Sequence, residues 1–186
     1  ATSNLNFEYL IIKNNITSIV GAGIEITNSN GITFNHCVID NNESTSEKGG
    51  GISITNSSVS FDSSSISYNT AYSVGGGLYA HSSSITITNS DINNNTANNH
   101  SGGIYIDNGN LFLSGSDISN NTSNGYAGGI YTNYVDTLSI SGCTIDSNSA
   151  QNQGGGLRIY GDTEDIVTID KTIITNNSSP ANGGGL

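Results

Sequence analysis

An all-β solenoid, built from one short strand-and-corner unit repeated about seven times, is what this sequence predicts, on three observations. First, Gly clusters recur whose third residues are Gly23, Gly51, Gly77, Gly103, Gly129, Gly156 and Gly185, at intervals of 28, 26, 26, 26, 27 and 29 residues. Second, an Ile followed three residues later by an Asn recurs in step: Ile11/Asn14, Ile39/Asn42, Ile66/Asn69, Ile92/Asn95, Ile118/Asn121, Ile145/Asn148 and Ile173/Asn176. Third, apolar and polar residues alternate over short runs between these landmarks, the period of a strand with one buried face. A unit this small cannot bury its own apolar face, whereas stacked copies share a continuous core. The predicted fold is therefore a single-stranded parallel β-helix. It has about seven coils of 26–29 residues, three short strands per coil, and forms one solenoid segment over residues 1–186.

The elements follow in order along each coil. A first strand leaves the Gly cluster with inward pairs Ile24/Ile26, Ile52/Ile54, Leu78/Ala80, Ile104/Ile106, Ile130/Thr132 and Leu157/Ile159. A second precedes the Ile landmark with Leu5/Phe7, Ile32/Phe34, Val59/Phe61, Ile85/Ile87, Leu111/Leu113, Leu138/Ile140 and Val167/Ile169. The landmark Ile occupies the third. No helical period competes with this pattern, and the single proline, Pro180, falls in a corner. The Asn after each Ile is expected in an internal ladder, each side-chain amide donating to one neighbouring coil and accepting from the other. The predicted ladder is Asn14, Asn42, Asn69, Asn95, Asn121, Asn148 and Asn176.

Within the Gly clusters the third position is Gly in every copy, the second admits Ala22, and the first admits Ser101 and Ala127. That grading assigns positive φ or close backbone approach to the third position and not to the first. Cys37 and Cys143 share one column with Ser64, Ser90 and Ser116, two residues before the landmark Ile. Four coil spacings, about 19 Å, separate them, too far for a disulfide. Two free, buried thiols are expected.

Composition limits the function. Four basic residues stand against 15 acidic ones, a net charge of -11, which argues against a nucleic-acid partner. No apolar run has the length of a membrane span. The N-terminus lacks the basic and apolar regions of a signal peptide, and Met is absent throughout, so a mature or excised segment of a longer chain is expected. Neither end shows a polar cap, which implies either continuation of the chain or end-to-end self-association of copies.

Candidate site residues are few. The outward column between the inward pairs of the first strand reads Glu25, Ser53, Tyr79, Tyr105, Tyr131 and Arg158. Three stacked Tyr rings with Arg158 over the last form a candidate platform for the apolar faces of sugars. Asp91 and Asp117 share an outward column in adjacent coils, where like charges repel. Water or a cation must offset them, and Ca²⁺ is the one metal candidate; Asp146 points the same way one coil further on. No other cofactor is expected. His36, His81 and His100 lie in three unrelated phases, so no His column supports catalysis. Of the N-x-[ST] sequons, those at Asn42, Asn121 and Asn176 are expected to be buried with the ladder.

The paired phrases, Gly-Gly-x-[Ile/Leu] and Ile-x-x-Asn, one of each per coil, resemble the chlamydial polymorphic outer membrane proteins. Those repeat GGA[ILV] and FxxN, and adhesin-like β-helix proteins of other microbes carry similar repeats. Here the phrases read GGGI, GGGL, SGGI and AGGI, and Ile replaces Phe in the second. The resemblance implies a right-handed helix, a cell-surface or extracellular location and a role in adhesion, and it supplies no catalytic residues. The expectation is a non-enzymatic, adhesin-like stalk that binds host or matrix surfaces, including carbohydrate. The alternatives are a structural subunit of an extracellular fibre and, third, a polysaccharide lyase or hydrolase. The last wants a walled cleft with clustered carboxylates and a base, and the nearly uniform coil offers no long loops to wall one.

Overall fold

The alternation becomes three parallel sheets in a computed structural model, which describes residues 4–162 and 164–186. Every strand pairs in parallel with the equivalent strand of the next coil, over about six turns. No helix occurs among the described residues, so none is long and apolar enough to cross a membrane. The two predicted inward rows pair coil to coil: Ile52 with Leu78 and Leu78 with Ile104, Val59 with Ile85 and Ile85 with Leu111. In the middle coils the first two predicted strands are one bent strand, Leu78–Thr88, Ile104–Ser114 and Ile130–Ser141.

The bend sits at a residue in the left-handed region: Asn28, Asn56, Ser82, Asn108 and Tyr134, with φ between 49° and 53°. Asn suits that conformation better than other non-Gly residues because its short side chain tolerates it. The third sheet is an addition to the prediction. It consists of two-residue strands such as Thr70–Ala71, Thr96–Ala97 and Thr122–Ser123, between the Asn ladder and the Gly cluster. Its inward residues are Ser44, Ala71, Ala97, Ser123 and Ala150, all buried. They are too small to register as a hydrophobic alternation.

The core is a set of axial columns. Phe7, Phe34 and Phe61 stack with ring centroids 5.0 Å apart. Ile39, Ile66, Ile92, Ile118 and Ile145 are at most 1% exposed. The Asn ladder runs through the buried interior, and its ends differ from the prediction. The register pairs Ile12 with Ile39 and Ile145 with Ile174, so the terminal ladder residues are Asn15 and Asn177. Asn14 and Asn176 instead take positive φ at the corner, exposed, where Asn14 bonds Asn41 and Asn176 bonds Asp146. The sequon at Asn176 is therefore exposed rather than buried. Doubled residues in Ile11-Ile12-Lys13-Asn14-Asn15 and Ile173-Ile174-Thr175-Asn176-Asn177 hid the phase by one position.

The Gly grading also needs correction. Positive φ belongs to the first position, at Gly21, Gly49, Gly75, Ser101, Ala127, Gly154 and Gly183. The third position needs close approach: a Cβ on Gly103 would lie 2.4 Å from the Gly129 carbonyl oxygen. Cys37 and Cys143 are free and buried, in the column of serines that bonds coil to coil. Cys37 N–H donates to Ser64 Oγ, Ser64 N–H to Ser90 Oγ, and Ser90 N–H to Ser116 Oγ. Burial pushes the Cys143 thiol above its ordinary value. The expected result is that neither thiol reacts with Ellman's reagent in the native protein, and that both react once it is unfolded in guanidinium. Rapid native labelling of either would show that its column opens.

Candidate functional site

The Tyr column forms as the repeat spacing places it. Tyr79 pairs with Tyr105, Tyr105 with Tyr131, and Tyr131 with Arg158. Ring centroids are 5.8 Å apart for the first pair and 5.1 Å for the second, with interplanar angles of 26° and 14°. The rings therefore face one another along the solenoid axis. The expectation of exposed faces is corrected: Tyr79 and Tyr131 are each only 6% exposed, and Tyr105 is partly buried.

Lys48, His100 and Tyr126, which spacing alone could not place, close the column together with Arg158, which it did place. Lys48 lies 4.7 Å from the Tyr79 ring centre, and its Nζ donates to the Tyr79 hydroxyl at 3.2 Å. His100 packs 5.5 Å from the Tyr131 ring and 5.0 Å from Tyr126. Arg158 covers the other end, its guanidinium carbon 4.1 Å from the Tyr126 ring centre and 5.0 Å from that of Tyr131. It also donates to the Tyr131 hydroxyl at 2.7 Å.

Lys48 enters through a residue inserted between the short strand Glu43–Ser44 and the strand that begins at Ile52, since the pairing offset is 27 at Thr17–Ser44 and 28 at Ile24–Ile52. With the corrected landmarks Ile12 and Ile174, the Ile-to-Gly spacing is 11 in six coils and 12 in the one carrying Lys48. That single odd interval is the signal that could have located it. Burial raises the Tyr105 and Tyr131 hydroxyls above their ordinary values and lowers His100, so the rings stay protonated and His100 tends toward neutrality. The column is a packed aromatic spine with a cation at each end.

Asp91 and Asp117 are paired in register, as the spacing indicates. Burial, and after it the Asp91 charge, raises the Asp117 carboxyl above the usual range. Its Oδ1 is buried without a hydrogen-bond partner among the described residues. Asp146 is turned to Ser147 and Asn176, accepting at 2.9 and 2.8 Å. No three His, Cys, Asp or Glu side chains converge among the described residues, so a Ca²⁺ ion here would meet a two-carboxylate site.

The three histidines do lie apart. His36 stacks on Tyr9, His100 joins the Tyr spine, and His81 Nδ1 lies 2.9 Å from Asp107. Asn133 donates to the other Asp107 oxygen at 2.7 Å, which fixes the carboxylate between two coils.

In the comparisons, a family model described as a right-handed β-helix region matches residues 50–186. Neither the curated proteins nor the solved structures yield a match. The family match agrees with the parallel coils, the three sheets and the axial ladders, and it covers well over half of the sequence. The chain belongs to the right-handed β-helix family.

Proposed function

We propose that this β-helix is a non-enzymatic, adhesin-like stalk of a cell-surface or secreted protein, which holds a binding surface away from its anchor and attaches to a host or matrix surface. The observation that carries the reading is the unbroken axial bonding. Asn and backbone ladders join each coil to the next along the described residues, as in the Asn42–Asn69–Asn95–Asn121–Asn148 series with links of 2.9–3.0 Å, and a Ser ladder adds to them from Cys37 to Ser116. Such a rod resists bending because each coil is fixed by both neighbours. Two of the four basic side chains that could serve as a base in polysaccharide cleavage are engaged elsewhere: Lys48 donates to the Tyr79 hydroxyl and Arg158 to that of Tyr131. The Tyr spine contributes stiffness in this reading, since its ring faces are already in contact with each other. Attachment is left to the corners.

The test is adherence of beads coated with the purified protein to cultured epithelial cells and to immobilised matrix. Soluble protein should compete with the beads. A parallel assay follows depolymerisation of polygalacturonate and other plant and animal glycans. Saturable adherence without cleavage supports the proposal. Cleavage of any of these polymers, or adherence no better than that of albumin-coated beads, overturns it.

A further inference from the structure

We infer that the first corner, where the long strands bend, carries a groove that binds an uncharged polysaccharide along the solenoid axis. The inference rests on the adhesive reading and names the ligand class and the place. Two adjoining concavities share Asn108 and Asp136 and run from the coil of Asn30 to that of Glu164. That is five inter-coil steps, about 24 Å. The axial step between coils is comparable to the rise of one pyranose unit in an extended glycan, so equivalent side chains meet successive sugars.

Three features point to a ligand of this kind. The lining is hydroxyl and amide: Asn56, Ser82, Ser84, Asn108 and Asn110 present donors and acceptors in axial rows. Among the described lining residues there is no Lys or Arg, while Asp136, Asp162 and Glu164 are present. This lining disfavours uronates and sulfated chains and suits neutral sugars, whose adjacent hydroxyls a carboxylate accepts in pairs.

Second, the coil departs from its repeat here. The pairing offset steps from 26 at Gly109–Val135 to 27 at Asn110–Thr137, which makes Asp136 the extra residue of a bulge. It then steps from 27 at Asn133–Tyr160 to 29 at Thr137–Ile166, across the 161–165 insertion. Bulges re-aim side chains and gather at functional sites.

Third, Tyr134 takes φ 50° in a column otherwise filled by Asn28, Asn56, Ser82 and Asn108. A bulky ring is disfavoured in that conformation, and this one is 44% exposed on the groove wall. Tyr160 meets it edge-on at 5.3 Å and fixes its orientation. Tyr9 and Tyr68 also take positive φ and are exposed at other corners; of the three, Tyr134 is the one that stands on this groove wall, where packing does not require a ring.

The test is isothermal titration calorimetry with cellohexaose, xylohexaose, mannohexaose, chitohexaose and hexagalacturonate. The proteins are the wild type and the Tyr134→Asn, Asp136→Asn and Tyr68→Asn variants. Asn is the residue the corner uses elsewhere, so Tyr134→Asn retains the fold, checked by circular dichroism. At least one neutral probe should saturate the wild type and hexagalacturonate should not. Tyr134→Asn and Asp136→Asn should each weaken that binding tenfold or more, and Tyr68→Asn, at a different corner, should leave it unchanged. The inference is overturned if no neutral probe saturates, or if the two groove variants bind like wild type. Bead adherence measured on the same proteins separates the two ideas. Adherence without oligosaccharide binding removes only the groove, and oligosaccharide binding without adherence removes only the adhesive role.

Discussion

Replacing Asn95 by Ala lowers the stability of this β-helix by about 3–5 kcal/mol, while the same change at Asn14 or Asn176 costs about 1 kcal/mol or less. Asn95 is fully buried and makes four side-chain bonds. Its Oδ1 accepts from the Asn69 N–H at 2.9 Å and from the Asn69 amide at 3.0 Å. Its Nδ2 donates to the Ile66 carbonyl at 2.9 Å and to Asn121 Oδ1 at 3.0 Å. Ala removes all four and leaves an N–H and a carbonyl without partners where water does not reach. Each such orphan costs about 1–3 kcal/mol. The Asn14 side chain is exposed, so water replaces what it loses. Urea unfolding followed by far-UV circular dichroism reads the difference as a shift in midpoint. Similar midpoints for the Asn95 and Asn14 variants would mean that the ladder carries no more than the corner does.

The contrast between Asn95 and Asn14 also shows what the sequence makes legible. Inward rows and the coil repeat were readable because Val, Ile, Leu and Phe at strand period leave a strong signal that recurs in every copy. Phase within the terminal coils was not, because Ile11-Ile12 and Asn14-Asn15 offer two registers, and the neighbouring coil decides between them. The short third sheet was missed for a different reason: its buried face is Ser and Ala, whose small apolar area gives no contrast with polar neighbours.

The candidate site divides in the same way. Residues placed by the repeat, such as Tyr79, Tyr105, Tyr131, Asp91 and Asp117, stand in the columns the spacing gives them. Side chains that arrive through corners, Lys48, His100 and Tyr126, are set by loop paths that periodicity does not describe, and they turn an expected open platform into a closed spine. Asp136 was invisible as a bulge, since one extra residue in a coil of variable length could lie at any corner.

Gly103→Ala lowers stability by at least about 3 kcal/mol, whereas Ala127→Gly changes it by less than about 1 kcal/mol, in the stabilising direction. The two residues belong to the same repeated phrase, and their tolerance has separate causes. A Cβ on Gly103 would meet the Gly129 oxygen at 2.4 Å and Asn121 Nδ2 at 3.1 Å. Neither can retreat, because the oxygen belongs to the next coil and the amide is held in the ladder by Asn148. Ala127 has φ 53°, a conformation that costs an L-residue about 1 kcal/mol and that Gly adopts freely. The entropy that Gly adds to the unfolded chain offsets most of that gain. Variation at the first Gly position therefore records that the coils of Ser101 and Ala127 give a Cβ room there; at Gly49 and Gly75 it would lie 2.5 and 2.6 Å from the Ile52 and Leu78 carbonyl oxygens. Invariance at the third records that a Cβ has none. Equal losses for the two variants, measured by thermal unfolding, would mean that φ and not inter-coil contact governs both positions.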